Sequence, residues 1–387
     1  MERTPEQTPL APADLAAAWR RTRPPRRLVH LDSAAAARAS WAVLDAAAAH
    51  ARREAEEGAY VAAAAAAPVL DRARDDVRAL LGWPAGEGAV AFCHSAEDAL
   101  RQVLLARPGG LPATAAHAPG EYGPNVAVLD RLGVRPVVVD TPHRLDPAAF
   151  ERFLARTRPG LVHVTWVGSH VGTVQPAAAV AAVCAAAGVP VVVDAAQAFG
   201  HVDTALDALP ADADVVVYGT SRKWLAGPRG VGFVAARGPL AQRPALLEQA
   251  EAHVAGRVGL AVALAEHRDL GPGAVRAGLA QVGAAVRHRL AAQLEGTWEV
   301  VEELDEPSAT ATLRPTAATR DAAPDAARPD LAALRARLLA EHGVLTTFAG
   351  AERSPGEMRA PALRVSGHLD TTAQDVDALV AALRAVA

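Results

Sequence analysis

What most constrains the fold of this chain is a series of short apolar or β-branched runs, each separated from the next by a longer stretch with helical spacing. In order, the runs are Ala89–Cys93, Val126–Leu129, Val137–Asp140, Leu161–Trp166, Val189–Val193, Val215–Tyr218 and Gly232–Ala235. A run such as Val191-Val192-Val193 has no polar alternation, so both faces of that strand must be covered. Helical spacing is found over Asp14–Arg21, Trp41–Gly58, Pro68–Leu81, Ala96–Ala106, Pro147–Thr157, Pro176–Ala187, Val258–Arg268, Gly273–Leu294, Asp330–His342 and Thr372–Val386. The alternation predicts an α/β fold whose mostly parallel sheet lies between two layers of helices. From about residue 255 the pattern changes to long helices with three strands, Trp298–Val301, Thr310–Leu313 and Ala362–Val365. The expected organisation is a large α/β domain over 22–254 and a small α+β domain made of 1–21 and 255–387, with Pro315–Pro329 as an exposed loop.

Ligands of such sheets sit beyond the carboxyl ends of the strands, so the polar residues there carry the functional information. The run Val191-Val192-Val193 ends on Asp194, with Gln197 three residues on. A carboxylate in that place is desolvated and calls for a cationic partner. The run Val215–Tyr218 leads into Gly219-Thr220-Ser221-Arg222-Lys223-Trp224, and Lys223 is the single lysine of the chain; the rest of the 39 Lys and Arg residues are arginine. A guanidinium serves as well as an ammonium for surface charge, but only the amine condenses with a carbonyl. Upstream, the run ending at Cys93 leads into His94-Ser95-Ala96-Glu97 at the start of a helix, where unpaired backbone N–H groups and a hydroxyl make an anion site. A carboxylate, an amine and a phosphate cradle together are what pyridoxal 5′-phosphate needs.

Composition removes other classes. The net charge is −4, and the arginines are scattered among acids, so neither nucleic acid nor a membrane surface is an expected partner. Cys93 and Cys184 make no disulfide framework or zinc spacing, and the thirteen histidines form no metal cluster, so no metal is expected. No strand is followed by G-x-G-x-x-G, which argues against a nicotinamide enzyme. Without an evident signal segment or an apolar run long enough to span a bilayer, the expectation is a soluble cytoplasmic protein.

At these residues the chain resembles the fold-type I pyridoxal-phosphate enzymes of the class V aminotransferase and cysteine desulfurase superfamily, from about Leu31 to the C-terminus. Within it, five segments are similar to the carbon–sulfur lyases of ergothioneine biosynthesis: Leu31-Asp32-Ser33, Gly58–Ala63, Pro119–Asn125, Ser221–Gly232 and Glu357-Met358-Arg359. The resemblance implies that Lys223 carries the cofactor as a Schiff base, that Asp194 faces its pyridinium nitrogen, and that Gln197 donates to its phenolic oxygen. Ser95, the backbone of Ala96, Thr220 and Arg222 would hold the phosphate. Tyr122 would lie over the ring where the desulfurases use a histidine, and Ser169 would stand for an asparagine near the cofactor. Arg364 would bind the substrate α-carboxylate, and Tyr60 would contact substrate, with Trp166, Trp224 and Phe348 as further aromatic candidates. Arg353 and Arg359 are candidates for a second carboxylate. The family pairs as homodimers, and Arg257 is the candidate to complete a partner's phosphate site.

One departure decides the chemistry. Desulfurases carry sulfur on a cysteine shortly before the substrate-binding arginine, and Ala349–Pro361 contains none. Persulfide transfer is thereby disfavoured, leaving β-elimination at a C–S bond as the leading expectation. Transamination on the same residues, or a non-catalytic descendant, stays open.

Overall fold

The computed structural model describes residues 8–141, 143–243, 246–248, 252–317 and 330–386. The chain enters through α1 (Ala13–Arg21) and β1 (Val29–His30), then passes through α2 (Trp41–Glu57) and α3 (Ala59–Leu80). Gly58 makes the corner between these two helices at φ +94°, a conformation that L side chains rarely adopt.

The large sheet follows. Its strands are β2 (Ala89–Cys93), β3 (Thr114–His117), β4 (Arg135–Val138), β5 (Leu161–Thr165), β6 (Val191–Asp194), β7 (Val215–Thr220) and β8 (Gly232–Ala236), interleaved with α4 (Ala96–Leu105), α5 (Gly123–Arg131), α6 (Pro147–Thr157) and α7 (Ala177–Ala186). The spatial order is β2-β8-β7-β6-β5-β3-β4. Strands β3 to β7 run parallel, and β8 is antiparallel to both its neighbours. The central strands β6, β7 and β8 are buried along their whole length, as their unbroken apolar sequence requires. Strand β4 is largely exposed and contains Pro136, which a sheet accepts only at an edge.

Two cores fill the two faces of this sheet, one around Phe92, Phe150, Phe199 and Phe233, the other around Leu100, Leu104, Leu161 and Val216. Helix α8 (Val254–Asp269) packs on α2 and α3, and its Leu260 and Leu264 join the first core. A third core lies under a four-stranded antiparallel sheet of order β12-β13-β10-β9, built from β9 (Trp298–Val300), β10 (Thr310–Pro315), β12 (Thr347–Ala349) and β13 (Ala362–Ser366). Helices α9 (Pro272–Gln293), α10 (Leu331–His342) and α11 (Ala373–Val386) supply much of it. The short β11 (Val344–Leu345) pairs in parallel with β1, and Leu31 and Trp224 are also rooted in this third core.

The structure differs from the sequence expectation in several places, and it adds β1, β11 and β12 as strands the sequence reading did not include. Val126–Leu129 is not a strand but the middle of α5: Pro124 presets the first turn, and Asn125, Val128 and Leu129 are its buried face. The strand belongs instead to Thr114–His117, whose Ala-rich sequence carries almost no β-branched signal. Helix α3 begins at Ala59 rather than at Pro68 and accommodates that proline in its interior. Residues 318–329, most of the expected Pro315–Pro329 loop, lie outside the described residues.

The third core is tied together where α9 meets the turn before β10. Arg287, fully buried, donates to the carbonyls of Leu304 at 2.9 Å, Ser308 at 2.8 Å, Thr310 at 2.7 Å and to that of Glu306. One turn earlier, a Cβ on Gly283 would collide with the backbone carbonyl of Ser308. Gly283→Ala should therefore destabilise the protein by about 1–3 kcal/mol, through overpacking against rigid backbone. Denaturant unfolding measures this, and an unchanged midpoint would refute the packing argument.

Candidate active site

The register of the parallel strands sets three polar positions side by side at their carboxyl ends: Thr165 of β5 pairs with Asp194 of β6, which pairs with Tyr218 of β7. Two residues beyond β7 the chain turns at Arg222 and Lys223. The turn is held from both sides. The Trp224 ring is buried, stacks on His201 at 3.7 Å between ring centroids, and donates from Nε1 to Gln197 Oε1 at 3.0 Å. Ala226, with its backbone N–H on the Lys223 carbonyl, takes the left-handed φ of +56° that closes the loop. The ammonium-bearing side chain thus leaves a backbone that cannot easily move.

Burial lowers the Lys223 amine to about 7; the Asp194 carboxylate opposes that shift, and Arg222, Arg364 and Arg353 reinforce it. The shift favours the free amine near neutral pH far more than an ordinary lysine would allow. Asp194 is itself nearly inaccessible, and accepts from the backbone N–H of Ala196 and from Asn125 Nδ2, each at 2.8 Å. Arg364 is fully buried, donates to the Ser169 carbonyl at 2.6 Å, and stands 3.8 Å from Asp32. Burial, then Arg353, lowers its guanidinium to about 10. Tyr122 lies near both Arg222 and Arg364, in the same basic cluster. Ser169 Oγ and Arg364 Nε are buried there without a hydrogen-bond partner among the protein groups.

The expected residues divide accordingly. Lys223, Asp194, Arg222, Tyr122 and Arg364 meet in one place, with Arg353 among them, and the Ser169 carbonyl binds Arg364. Ser95 caps α4, accepting from Asp98 N at 3.0 Å, which leaves its hydroxyl proton free for an anion; the N–H of Ala96 follows it on the first turn. Thr220 ends β7, pairs with Gly232, and lies 3.4 Å from the Val231 carbonyl. Arg222 donates to the Ala35 carbonyl. Gln197 spends its amide on Ala34 O at 2.9 Å and on Trp224, so at most one N–H remains for a ligand. Tyr60 is 94% exposed at the start of α3. Trp166 and Trp224 belong to apolar cores, Phe348 packs against one, and Arg359 is exposed. Arg257 is held by Glu248 at 2.7 Å and by the Phe92 carbonyl at 3.2 Å. Both cysteines are buried, and burial pushes each thiol up to about 12.

Two groups were not assembled by sequence reasoning, which took His163 and His170 only as local hydrogen-bonding residues near a strand end, with His170 a candidate for the site. Glu121, Asn125, His163 and Tyr218 form a buried polar set against Asp194. Only the spacing of Glu121 and Asn125 across a helix start hinted at it. The second joins the loop before Arg364 to the segments that follow β4 and β5. Glu357 lies between His143 and His170, 3.0 Å from His170 Nε2, and His143 reaches Thr173 at 2.6 Å. Here Gly356 abuts the Pro119 carbonyl, and a Cβ on Gly123 would strike the Glu352 carbonyl.

Comparison with known proteins places this site in context. The Aminotransferase class-V family model matches residues 29–293. A probable hercynylcysteine sulfoxide lyase of Mycobacterium tuberculosis (strain CDC 1551 / Oshkosh) is 49% identical, over 95% of this chain and 93% of its own. Among solved structures, the apo cysteine desulfurase of Thermococcus onnurineus NA1 superposes with a TM-score of 0.76 at 18% identity, covering 97% of this chain and 98% of its own. The cysteine desulfurase CsdA of Escherichia coli gives 0.76 at 19% identity, covering 96% and 98%. These two establish a shared fold.

Competitive acylation of the apoprotein with a small amine reagent, read by mass spectrometry, should give Lys223 a reactivity midpoint at about 7. Asp194→Ala should move that midpoint lower, because the carboxylate is what favours the ammonium. A midpoint in the ordinary lysine range would contradict the assigned environment.

Proposed function

The chain belongs to the class V aminotransferase family, and from that premise we propose that it is a pyridoxal 5′-phosphate-dependent carbon–sulfur lyase that cleaves hercynylcysteine sulfoxide. The observation that carries the lyase reading is that both thiols are buried, which pushes them up, while the buried Lys223 amine in the basic cluster is pushed down: the reactive group here is the amine, and neither thiol is poised to carry sulfur. The substrate follows from the likeness to the mycobacterial lyase, which extends over nearly the whole chain.

The residues present fit the cofactor. The buried, unpartnered Ser169 Oγ and Arg364 Nε beside Lys223 are polar atoms that a bound ligand would satisfy. Pyridoxal phosphate, when bound, supplies an aldehyde for amino groups and an electron-withdrawing ring that stabilises negative charge at the substrate α-carbon. Asp194, with two donors already on it, is left as an acceptor for the ring nitrogen. Ser95, Ala96, Thr220 and Arg222 are assigned to the phosphate, Tyr122 to the ring face, and Gln197, through its remaining N–H, to the phenolic oxygen. Arg364 receives the substrate α-carboxylate and orients the α-hydrogen toward Lys223.

As free amine, Lys223 takes the α-proton. Departure of the sulfenate from the β-carbon then gives a sulfenic acid and aminoacrylate, which hydrolyses to pyruvate and ammonia. The sulfenate is a good leaving group, so it needs little help from a protein acid. An external reductant converts the sulfenic acid to ergothioneine.

We read the enzyme as a cytoplasmic homodimer. Among the described residues no helix is long and apolar enough to cross a membrane. Trp41 and Leu44 on α2 and Tyr60 and Val61 on α3 are exposed apolar side chains, a surface suited to a second copy that would also bring Tyr60 to a substrate.

Purified protein supplied with pyridoxal phosphate and hercynylcysteine sulfoxide should release one pyruvate per substrate while showing a bound visible chromophore. Lys223→Ala should lose at least roughly a thousandfold in rate. A chromophore without pyruvate would replace the lyase reading with transamination.

A further inference from the structure

The chemistry above leaves a buried set of polar groups beneath Asp194 without a role. Glu121 and His163 are both buried, with Glu121 Oε2 at 2.9 Å from His163 Nδ1. His163 Nε2 is 2.9 Å from the Tyr218 hydroxyl, which in turn lies against Asp194. From the other side, Glu121 Oε1 accepts from Asn125 Nδ2 at 3.0 Å, and the same amide nitrogen reaches Asp194 Oδ2 at 2.8 Å. Two arms therefore leave one carboxylate and converge on another. They are built from the β3–α5 connection, α5, β5 and β7.

Donor and acceptor counting decides where the protons lie. Glu121 also accepts from Thr165 Oγ1 at 2.5 Å and from the Tyr122 N–H at 2.8 Å, so it acts as a carboxylate with every neighbour donating to it. His163 Nδ1 must then carry a proton. If Nε2 carries none, it accepts the Tyr218 proton, and the hydroxyl turns away from Asp194. If Nε2 is protonated, it donates to the Tyr218 oxygen, and the hydroxyl proton turns to the neighbouring Asp194 carboxylate. The charged groups facing His163 are Glu121 and Asp194, both negative, and they favour the second state. The burial of His163 opposes it but is outweighed, so its pKa is raised; Glu121, pushed up by burial, is brought down to about 2 by His163, Thr165 and Asn125.

We propose that Glu121 holds His163 as an imidazolium, and that His163 in turn fixes the Tyr218 proton on Asp194, making these three positioning residues that keep Asp194 an ionised acceptor. The inference rests on the functional reading only in taking Asp194 as the group that faces the cofactor ring. Without the relay, Asp194 keeps the Asn125 and Ala196 donors but loses a charge-polarised third, and competes more strongly for the proton on the ring nitrogen.

The test begins on the apoprotein labelled with ¹⁵N-histidine. Nitrogen NMR at neutral pH should show His163 with both nitrogens protonated, its signals identified by their loss in His163→Gln, or by their displacement in Tyr218→Phe should the first variant not fold. Tyr218→Phe keeps the ring and removes the hydroxyl. In the loaded enzyme it should move the pH midpoint of the bound chromophore and lower kcat by roughly tenfold, with KM within about twofold. A neutral His163, or a Tyr218→Phe enzyme with unchanged spectrum and kcat, overturns the proposal. Failure of the wild type to cleave the sulfoxide, with the imidazolium signature and the Tyr218→Phe spectral change intact, discards the substrate alone and leaves the relay standing.

Discussion

Asp194 is a carboxylate with almost no access to water, and the arrangement of the molecule around it makes that tolerable. An isolated charge so placed is prohibitively costly, so each of its lone pairs must meet a donor and its charge must meet a cation. The donors come from its own strand end at Ala196 and from α5 at Asn125, with the Tyr218 hydroxyl of β7 beside it. The cations are Lys223, from the turn after β7, and His163, from β5. None of these is near Asp194 in sequence except Ala196. Parallel register alone brings the strand ends together, which is why the apolar strands and the polar cluster form one design.

That design was legible in part. The bare pattern of Val-rich strands ending in Asp194 and leading to Lys223 is strong because a buried parallel strand tolerates polar residues only where it ends. The single lysine added weight because composition elsewhere had replaced every other one. What failed was local. Thr114–His117 is a strand made mostly of small residues, and it holds its place through pairing with β4 and β5, which no propensity encodes. Val126–Leu129 has the right residues for a strand but is turned into a helix by Pro124 and by the pull of buried Asn125 toward Asp194. His163 is a single histidine in an apolar run, and its partners lie 42 and 55 residues away.

The site assignments show the same limit. Arg222 could be placed beside Lys223 because it sits in the lysine loop, and Arg364 through the family resemblance, although the structure sets it in the middle of β13. Gln197 is where a cofactor amide would be expected, yet two neighbours hold its side chain, a competition visible only once Ala34 and Trp224 are in position. Tyr60 illustrates the opposite case, a side chain that one chain leaves in solvent. A sequence reports which groups are available at a site, whereas the number of bonds each has left depends on packing.

The interlock of Glu352–Met358 with Pro119–Gly123 reaches beyond this molecule. Gly123 and Gly356 let two backbones touch, Ser354 stands 3.4 Å from the Pro119 carbonyl, and Glu357 bridges to His143 and His170. The first segment leads to the arginine assigned to substrate, and the second leads into the bed of the cofactor site. Anyone grafting a relative's specificity loop onto this scaffold must therefore transplant both strips together, since either one alone arrives with the wrong surface against its mate.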